Sequence, residues 1–302
     1  MARIKLTAKD WHAIFPRAPQ AVIDAFAAKQ AVLDRVGITA TRQRLAYFCA
    51  NIEHECDGFT IANLTENINY TADRMAAVWP NRFNKGRDGN GKLIPDPSKV
   101  VAKYGSEPGW QRKAFDDIYG SRMGNRPGTS DGSTYIGRGG PQWTGRDGYA
   151  ALQRLTSIPA LDNPPLASTL DLQPEICAAF WQWKGLNRFA DAGDFAGCVY
   201  AWNGGTNGMA DRRARMAGNE PIFQRLAIVN DQAGVIPEPV PAVTPAKAVA
   251  VASVGSSASA VAVGVQQGWG WQQWTMLFIA VAGCGLVALG VWLARKHSKP
   301  AA

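Results

Sequence analysis

The chain has 302 residues, 46% of them hydrophobic, with a net charge of +8 and a pI near 9.4. That much apolar material supports a real core and excludes wholesale disorder, in one large domain or two ordinary ones. No Lys/Arg run, recognition-helix pattern or RNA-binding signature accompanies the charge, so nucleic acid is not the expected partner. Residues 1–232 hold 28 basic and 23 acidic side chains, a mild +5 that suits an anionic surface such as a cell wall. Met1 to Lys9 lack an apolar h-region, so no cleavable export signal is expected there. Val22, Ile23, Phe26, Leu33 and Val36 recur at helical spacing and predict a helix over Pro19 to Val36, ended at Gly37. Leu45, Phe48, Cys49, Ile52 and Cys56 predict a second over Thr41 to Cys56, ended by Asp57-Gly58. Residues 81 to 97 are rich in Gly, Asn, Pro and charge, the mark of an exposed loop or short hairpin. Glu175 to Trp183, Asp194 to Trp202 and Pro221 to Val229 read as short buried helices, and no strand alternates for long.

From Ala233 the composition shifts to Ala, Val, Pro, Ser and Gly, so 233–268 is expected to be an extended linker. Nothing between Ala248 and Ala294 is charged, and Thr275 to Ala294 is long enough, at about 30 Å, to span a bilayer. Residues 269–302 are therefore expected to be a carboxy-terminal transmembrane anchor in the lipid bilayer, with Trp269, Trp271, Trp274 and Trp292 at its interfaces. Arg295, Lys296 and Lys299 favour a cytoplasmic tail with the amino-terminal domain on the other side of the membrane, whereas the unsignalled amino terminus leaves a cytoplasmic domain open.

Metal chemistry is not expected. The five cysteines, at 49, 56, 177, 198 and 284, form no CxxC pair, and His12, His54 and His297 are the only histidines. His54-Glu55 opens a zinc-protease motif that fails at Gly58, where the second histidine belongs. Reduced thiols, no metal and no cofactor are the expectation.

The chemistry lies in acids and amides. Glu55 stands three residues after Ile52 and seven after Phe48, beside the apolar stripe, whereas Glu53 points elsewhere. Desolvation there would raise its pKa, the condition for a general acid. The same pattern fits a helix-end glutamate paired with Arg42 or Arg44. Glu66 follows in the loop-forming run Glu66-Asn67-Ile68-Asn69-Tyr70, where a carboxylate can face Glu55 across a water, as an inverting base must. It equally fits the lead-in to a helix starting near Thr71. Gly137 to Gly148 holds five glycines but lacks the ending of a phosphate loop. Among them Arg138, Gln142 and Thr144 supply hydrogen-bonding groups, and Tyr135, Trp143 and Tyr149 supply flat faces for sugar rings or for the core.

With Trp79-Pro80-Asn81-Arg82-Phe83, Tyr119 to Asn125, Tyr135 to Arg146, and Asn203-Gly204-Gly205 leading to Asp211-Arg212, the chain resembles glycoside hydrolase family 19 from about Thr7 to Arg215. This is the chitinase family that includes bacteriophage endolysins. The resemblance implies a mostly α-helical, two-lobed, lysozyme-like domain over 1–232 with a substrate cleft, and an inverting mechanism without metal or cofactor. It places Glu55 as acid and Glu66 as base, Thr144 as the hydroxyl orienting water, Gln142 on sugar, and Asn203 and Arg212 along the cleft. Tyr70, Tyr135 and Arg138 complete the substrate-binding candidates. Cys56 stands where serine is usual, and Gly140-Pro141 and Trp143 replace aliphatics. The expected activity is hydrolysis of the β-1,4 glycan of peptidoglycan by a membrane-anchored, endolysin-type enzyme of phage lysis. Chitinase, lytic transglycosylase and inactive wall-binding protein are the alternatives.

Overall fold

The computed structural model describes residues 2–230; the expected linker, the span at 275–294 and the basic tail lie outside the described residues. Among the described residues no helix is long and apolar enough to cross a membrane. The architecture is mostly helical. In chain order, β1 (Ala2–Ile4) leads to α1 (Ala8–Ile14), α2 (Gln20–Ala28), α3 (Gln30–Arg35) and the long α4 (Arg42–Cys56). Then come α5 (Ala72–Val78), the hairpin of β2 (Asn84–Arg87) and β3 (Leu93–Pro95), α6 (Pro97–Tyr104), α7 (Trp110–Tyr119) and α8 (Asp131–Thr134). The chain finishes with α9 (Arg146–Thr156), α10 (Gln173–Trp183), α11 (Asn187–Asp191), α12 (Phe195–Asn203), α13 (Met209–Arg225) and β4 (Ile228–Asn230).

Two apolar cores divide the molecule. The larger gathers residues on both sides of the middle third, including Trp11, Phe26, Phe48, Ile52, Trp143, Trp181 and Phe223. The smaller runs from Ile68 to Ile136 and is built on Met75, Phe83, Val100, Trp110, Phe115 and Ile118. One contiguous insertion therefore forms the small lobe. Its chain enters and leaves beside paired backbone, where the Glu66 amide donates to the Gly137 carbonyl at 2.8 Å and Thr65 bridges Arg138. At the far side of the large lobe β1 pairs antiparallel with β4, Arg3 opposite Val229.

Capping explains where the site helices begin. Thr41 accepts from the Arg44 amide to start α4, and Thr71 accepts from the Arg74 amide to start α5, as an N-cap hydroxyl should. α4 stops at Asp57, whose left-handed backbone turns the chain out of the helix. Two expectations need correction. The helix over Pro19 to Val36 is broken at Lys29 into α2 and α3. The expected helix from Pro221 is the last part of α13, with Pro221 inside it and Val229 already in a strand. A proline removes one backbone donor but does not end this helix, because side-chain bonds between α13 and α4, donated from both helices, hold it along its length.

Candidate active site

α4 and α13 lie antiparallel, and their facing charges position Glu55. Arg42 at the start of α4 donates to the carbonyls of Phe223 at 2.9 Å and Leu226 at 3.0 Å. At the other end Arg212, only 1% exposed, donates to Asn51 Oδ1 at 2.7 Å and to the Glu55 carboxylate. Asn51 is itself fully buried and donates to the Tyr47 carbonyl at 2.7 Å, so the guanidinium is fixed from below. Glu55 is thus a half-buried carboxylate, 18% exposed, that leans on a positive charge rather than on the apolar stripe alone. The arginine partner is neither Arg42 nor Arg44. Eleven or more residues of helix, at about 1.5 Å each, separate those from Glu55, and Arg44 is bound to Asp191 and the Gly37 carbonyl.

Glu53 does not point away into solvent. At 17% exposure it is as sheltered as Glu55, pairs with Arg215 at 3.1 Å and accepts from Asn219 at 3.1 Å. Burial pushes its carboxyl up, against the pull of Arg215. Arg215 also reaches Asp211 at 2.6 Å and Asp57 at 3.3 Å, and Asp211 accepts from His54 Nδ1 at 2.6 Å. Sequence spacing did not single out Asn51 or Arg215. The available signal was complementarity between acids at 53, 55 and 57 and arginines at 212, 213 and 215.

Asn203 belongs with this group. It ends α12, its Oδ1 accepts from the Gly205 amide at 2.9 Å, and its amide reaches the Asn207 carbonyl at 3.4 Å. The same carbonyl accepts from Arg212 Nε at 3.4 Å, so the Asn-Gly-Gly turn is tied to the residue that holds Glu55.

Glu66 forms the second group with Gln142 and Thr144. The Gly137 amide donates to Glu66 Oε2 at 3.0 Å, closing a two-bond ring with the backbone pair. A Cβ placed on Gly137 would meet Gln142 Oε1 at 2.7 Å and both Glu66 Oε2 and Thr144 Oγ1 at 3.4 Å. Three oxygens of different chemistry therefore converge on one bare α-carbon, which only glycine leaves open. Gln142, in left-handed backbone, donates from its amide to the Gly139 carbonyl at 2.9 Å, and Thr144 Oγ1 donates to the Gln142 carbonyl at 2.9 Å. A cavity of about 10 Å³ touches Glu66, Thr144, Tyr119 and Asn125, about the least space that admits one water molecule. Burial lifts the Glu66 carboxyl above the usual glutamate range, opposed by the Gly137 amide and the Arg138 charge. Tyr119 is pushed up as well, first by burial and then by the Glu66 charge. Tyr119 and Asn125 sit in a segment whose motif was noticed, but their lining of this cavity was not legible.

The remaining candidates are packed into the core or bonded to their neighbours. Tyr135 is 8% exposed and donates to the Leu161 carbonyl at 3.1 Å, and Trp143 and Tyr149 are fully buried, so none offers a free face to a sugar. The reason is that the glycine-rich turn folds inward over α10, with Trp143 Nε1 donating to the Ile176 carbonyl at 3.0 Å. Arg138 Nη1 donates to the Thr134 carbonyl and to the Tyr149 hydroxyl, at 2.8 and 2.9 Å, while its charge also acts on Glu66. Tyr70 is half-buried, packed on Phe115 and Trp79 with Arg74 over its ring. Among the described residues no group of three His, Cys, Asp or Glu could hold a metal, and Cys49, Cys56, Cys177 and Cys198 are buried free thiols.

No family model matches the chain. A glycosyl hydrolase family 19 domain-containing protein of Haemophilus influenzae is 32% identical over 200 residues, covering 66% of this chain and 88% of the relative. The chain belongs to glycoside hydrolase family 19. Among solved structures, chitinase C from Streptomyces griseus HUT6037 is similar at 17% identity and a TM-score of 0.42, over 74% of this chain and 94% of that one. A bacterial family 19 chitinase is similar at 17% identity and a TM-score of 0.39, over 73% and 94%. The family 19 chain is a glycoside hydrolase with a glycan substrate.

Proposed function

We propose that the enzyme hydrolyses β-1,4 bonds of peptidoglycan glycan strands, with Glu55 as general acid and Glu66 as general base. The carrying observation is the convergence of Glu66, Gln142 and Thr144 on Gly137 beside a water-sized cavity. A buried carboxylate of raised pKa is a stronger base once ionised, and an inverting mechanism needs such a base beside room for a water, which supports this reading. In this mechanism Thr144 and Gln142 orient the water and the sugar. Glu55 passes its proton to the leaving oxygen, and Arg212 holds the carboxylate that results. The +5 charge of residues 1–232 favours an anionic wall over neutral chitin.

The sequence of 275–294 extends the proposal to an endolysin-type enzyme anchored at the bacterial inner membrane with its catalytic domain in the periplasm. Incubation of the full chain with peptidoglycan and with chitin oligomers tests the substrate, and the anomer first released, followed by NMR, tests inversion. Turnover of chitin alone would replace peptidoglycan by chitin as the substrate. A 1,6-anhydro product would mark a transglycosylase.

A further inference from the structure

An open groove of about 610 Å³ lies on the large lobe, walled by the turn at 59–64 and by residues 165–170, with Arg17 and Pro19 at one end. Leu64 lines it, and Leu64 stands two residues, at most about 7 Å of chain, from Glu66. The wall is unusual backbone: Phe59, Asn63 and Leu64 all hold positive φ, at 68°, 53° and 42°, and so does neighbouring Asp57 at 48°. Residues with side chains hold that conformation only against a cost, and such clusters gather where a surface is shaped for a ligand.

The lining selects the class of ligand. Its aromatic, Phe59, is 2% exposed and turned edge-on to Phe15 in the core, so a sugar ring finds no flat face. The nearby carboxylate, Asp57, is engaged by Arg17, Thr60 and Arg215. What remains is an apolar strip of Ile61 and Leu170, the Asn63 side-chain amide, which makes no hydrogen bond among the described residues, and Arg17, held only by its ion pair with Asp57. An amide that both donates and accepts, beside apolar walls and one guanidinium, fits a peptide ending in a carboxylate. Arg17 is 63% exposed and its ion pair with Asp57 spans 2.7 Å. Exposed pairs of this kind are weak and exchange readily.

We propose that this groove binds the peptide stem borne on the glycan, an anionic acyl-peptide whose carboxylate takes over Arg17 from Asp57. The proposal rests on the peptidoglycan reading above. The test uses the full chain and two variants, Arg17→Gln and Ala62→Trp, the second filling the groove without changing charge. Substrates are glycan strands carrying stems and the same strands stripped by an amidase, with chitin oligomers as a third. The expected wild-type KM is roughly three- to tenfold lower on stem-bearing strands, from one charge-assisted contact at an open site. Both variants should raise it to the stripped-strand value and leave stripped strands unaffected. Equal KM on both strands for wild type, or variants that weaken both alike, overturns the groove and leaves the glycosidase standing. Cleavage of chitin oligomers with neither strand cleaved overturns the peptidoglycan reading and the groove with it.

Discussion

Replacing Gly137 by alanine tests whether the convergence of side chains at that point is the reaction centre. The backbone itself accepts the change, since Gly137 does not hold a positive φ. The new methyl would sit 2.7 Å from Gln142 Oε1, about 0.7 Å inside the 3.4 Å at which ordinary contact begins, while Glu66 Oε2 and Thr144 Oγ1 stay at that limit. Gln142 must swing, and its bond to the Gly139 carbonyl at 2.9 Å is the one that yields. One lost hydrogen bond costs about 1 kcal/mol, which for a domain of this size lowers Tm by about 2–4 °C. A displacement approaching 1 Å at a reacting group costs on the order of a hundredfold in rate. The expected Gly137→Ala enzyme is therefore folded and nearly inactive, measured by release of reducing ends from peptidoglycan alongside thermal unfolding. Activity within threefold of wild type would show that the three oxygens do not act on the substrate. A Tm loss beyond about 10 °C would show that Gly137 serves the fold instead.

Glu66→Gln should lower turnover by on the order of a hundredfold or more, as loss of a general base does. Because burial raises the Glu66 pKa, the acid limb of kcat/KM should lie above the ordinary glutamate value of about 4.3. The sign for stability is set by the same shift. The folded state keeps its proton longer than the unfolded chain, so stability contributed by Glu66 is fully present below about pH 4.3 and lost as pH rises through the raised value. Glu66→Gln should accordingly unfold at higher urea than wild type at pH 7. Asp131 has the opposite sign: Arg126 holds its carboxyl down to about 2. Its contribution is present above pH of about 4 and lost as pH falls towards 2, so Asp131→Asn should flatten the urea midpoint between pH 6 and pH 3. Glu55→Gln should abolish hydrolysis by a hundredfold or more while keeping the fold. Arg212→Ala should cost roughly 3 kcal/mol in denaturant unfolding, by stranding the Glu55 charge and the buried Asn51 oxygen.

Helix boundaries fixed by local chemistry were legible from sequence: Thr41 and Thr71 start helices, Gly37 and Asp57 end them, and residues 84–95 form the expected hairpin. Glu55 and Glu66 were legible as candidates because each breaks an apolar or loop pattern with a charge. Their settings were not legible, since Arg212 lies 157 residues from Glu55 and Gly137 lies 71 from Glu66. Periodicity within one helix cannot see a partner helix, which is why spacing sets Glu53 apart from the apolar stripe but does not reveal Arg215 across the interface. The aromatics of the glycine-rich turn failed for the same reason. Tyr135, Trp143 and Tyr149 have the flat faces a sugar wants, but a turn rich in glycine packs tightly enough to draw them into the core.

Glu66 and Gly137 form the neck between the two lobes, where the inserted segment departs and returns. An atom on the axis of a rotating body travels least. Should the small lobe swing about this neck, tips such as the β2–β3 hairpin sweep the widest arc, while Glu66 stays near the pivot. Any such swing would therefore disturb the Glu66–Gly137 pairing least of all.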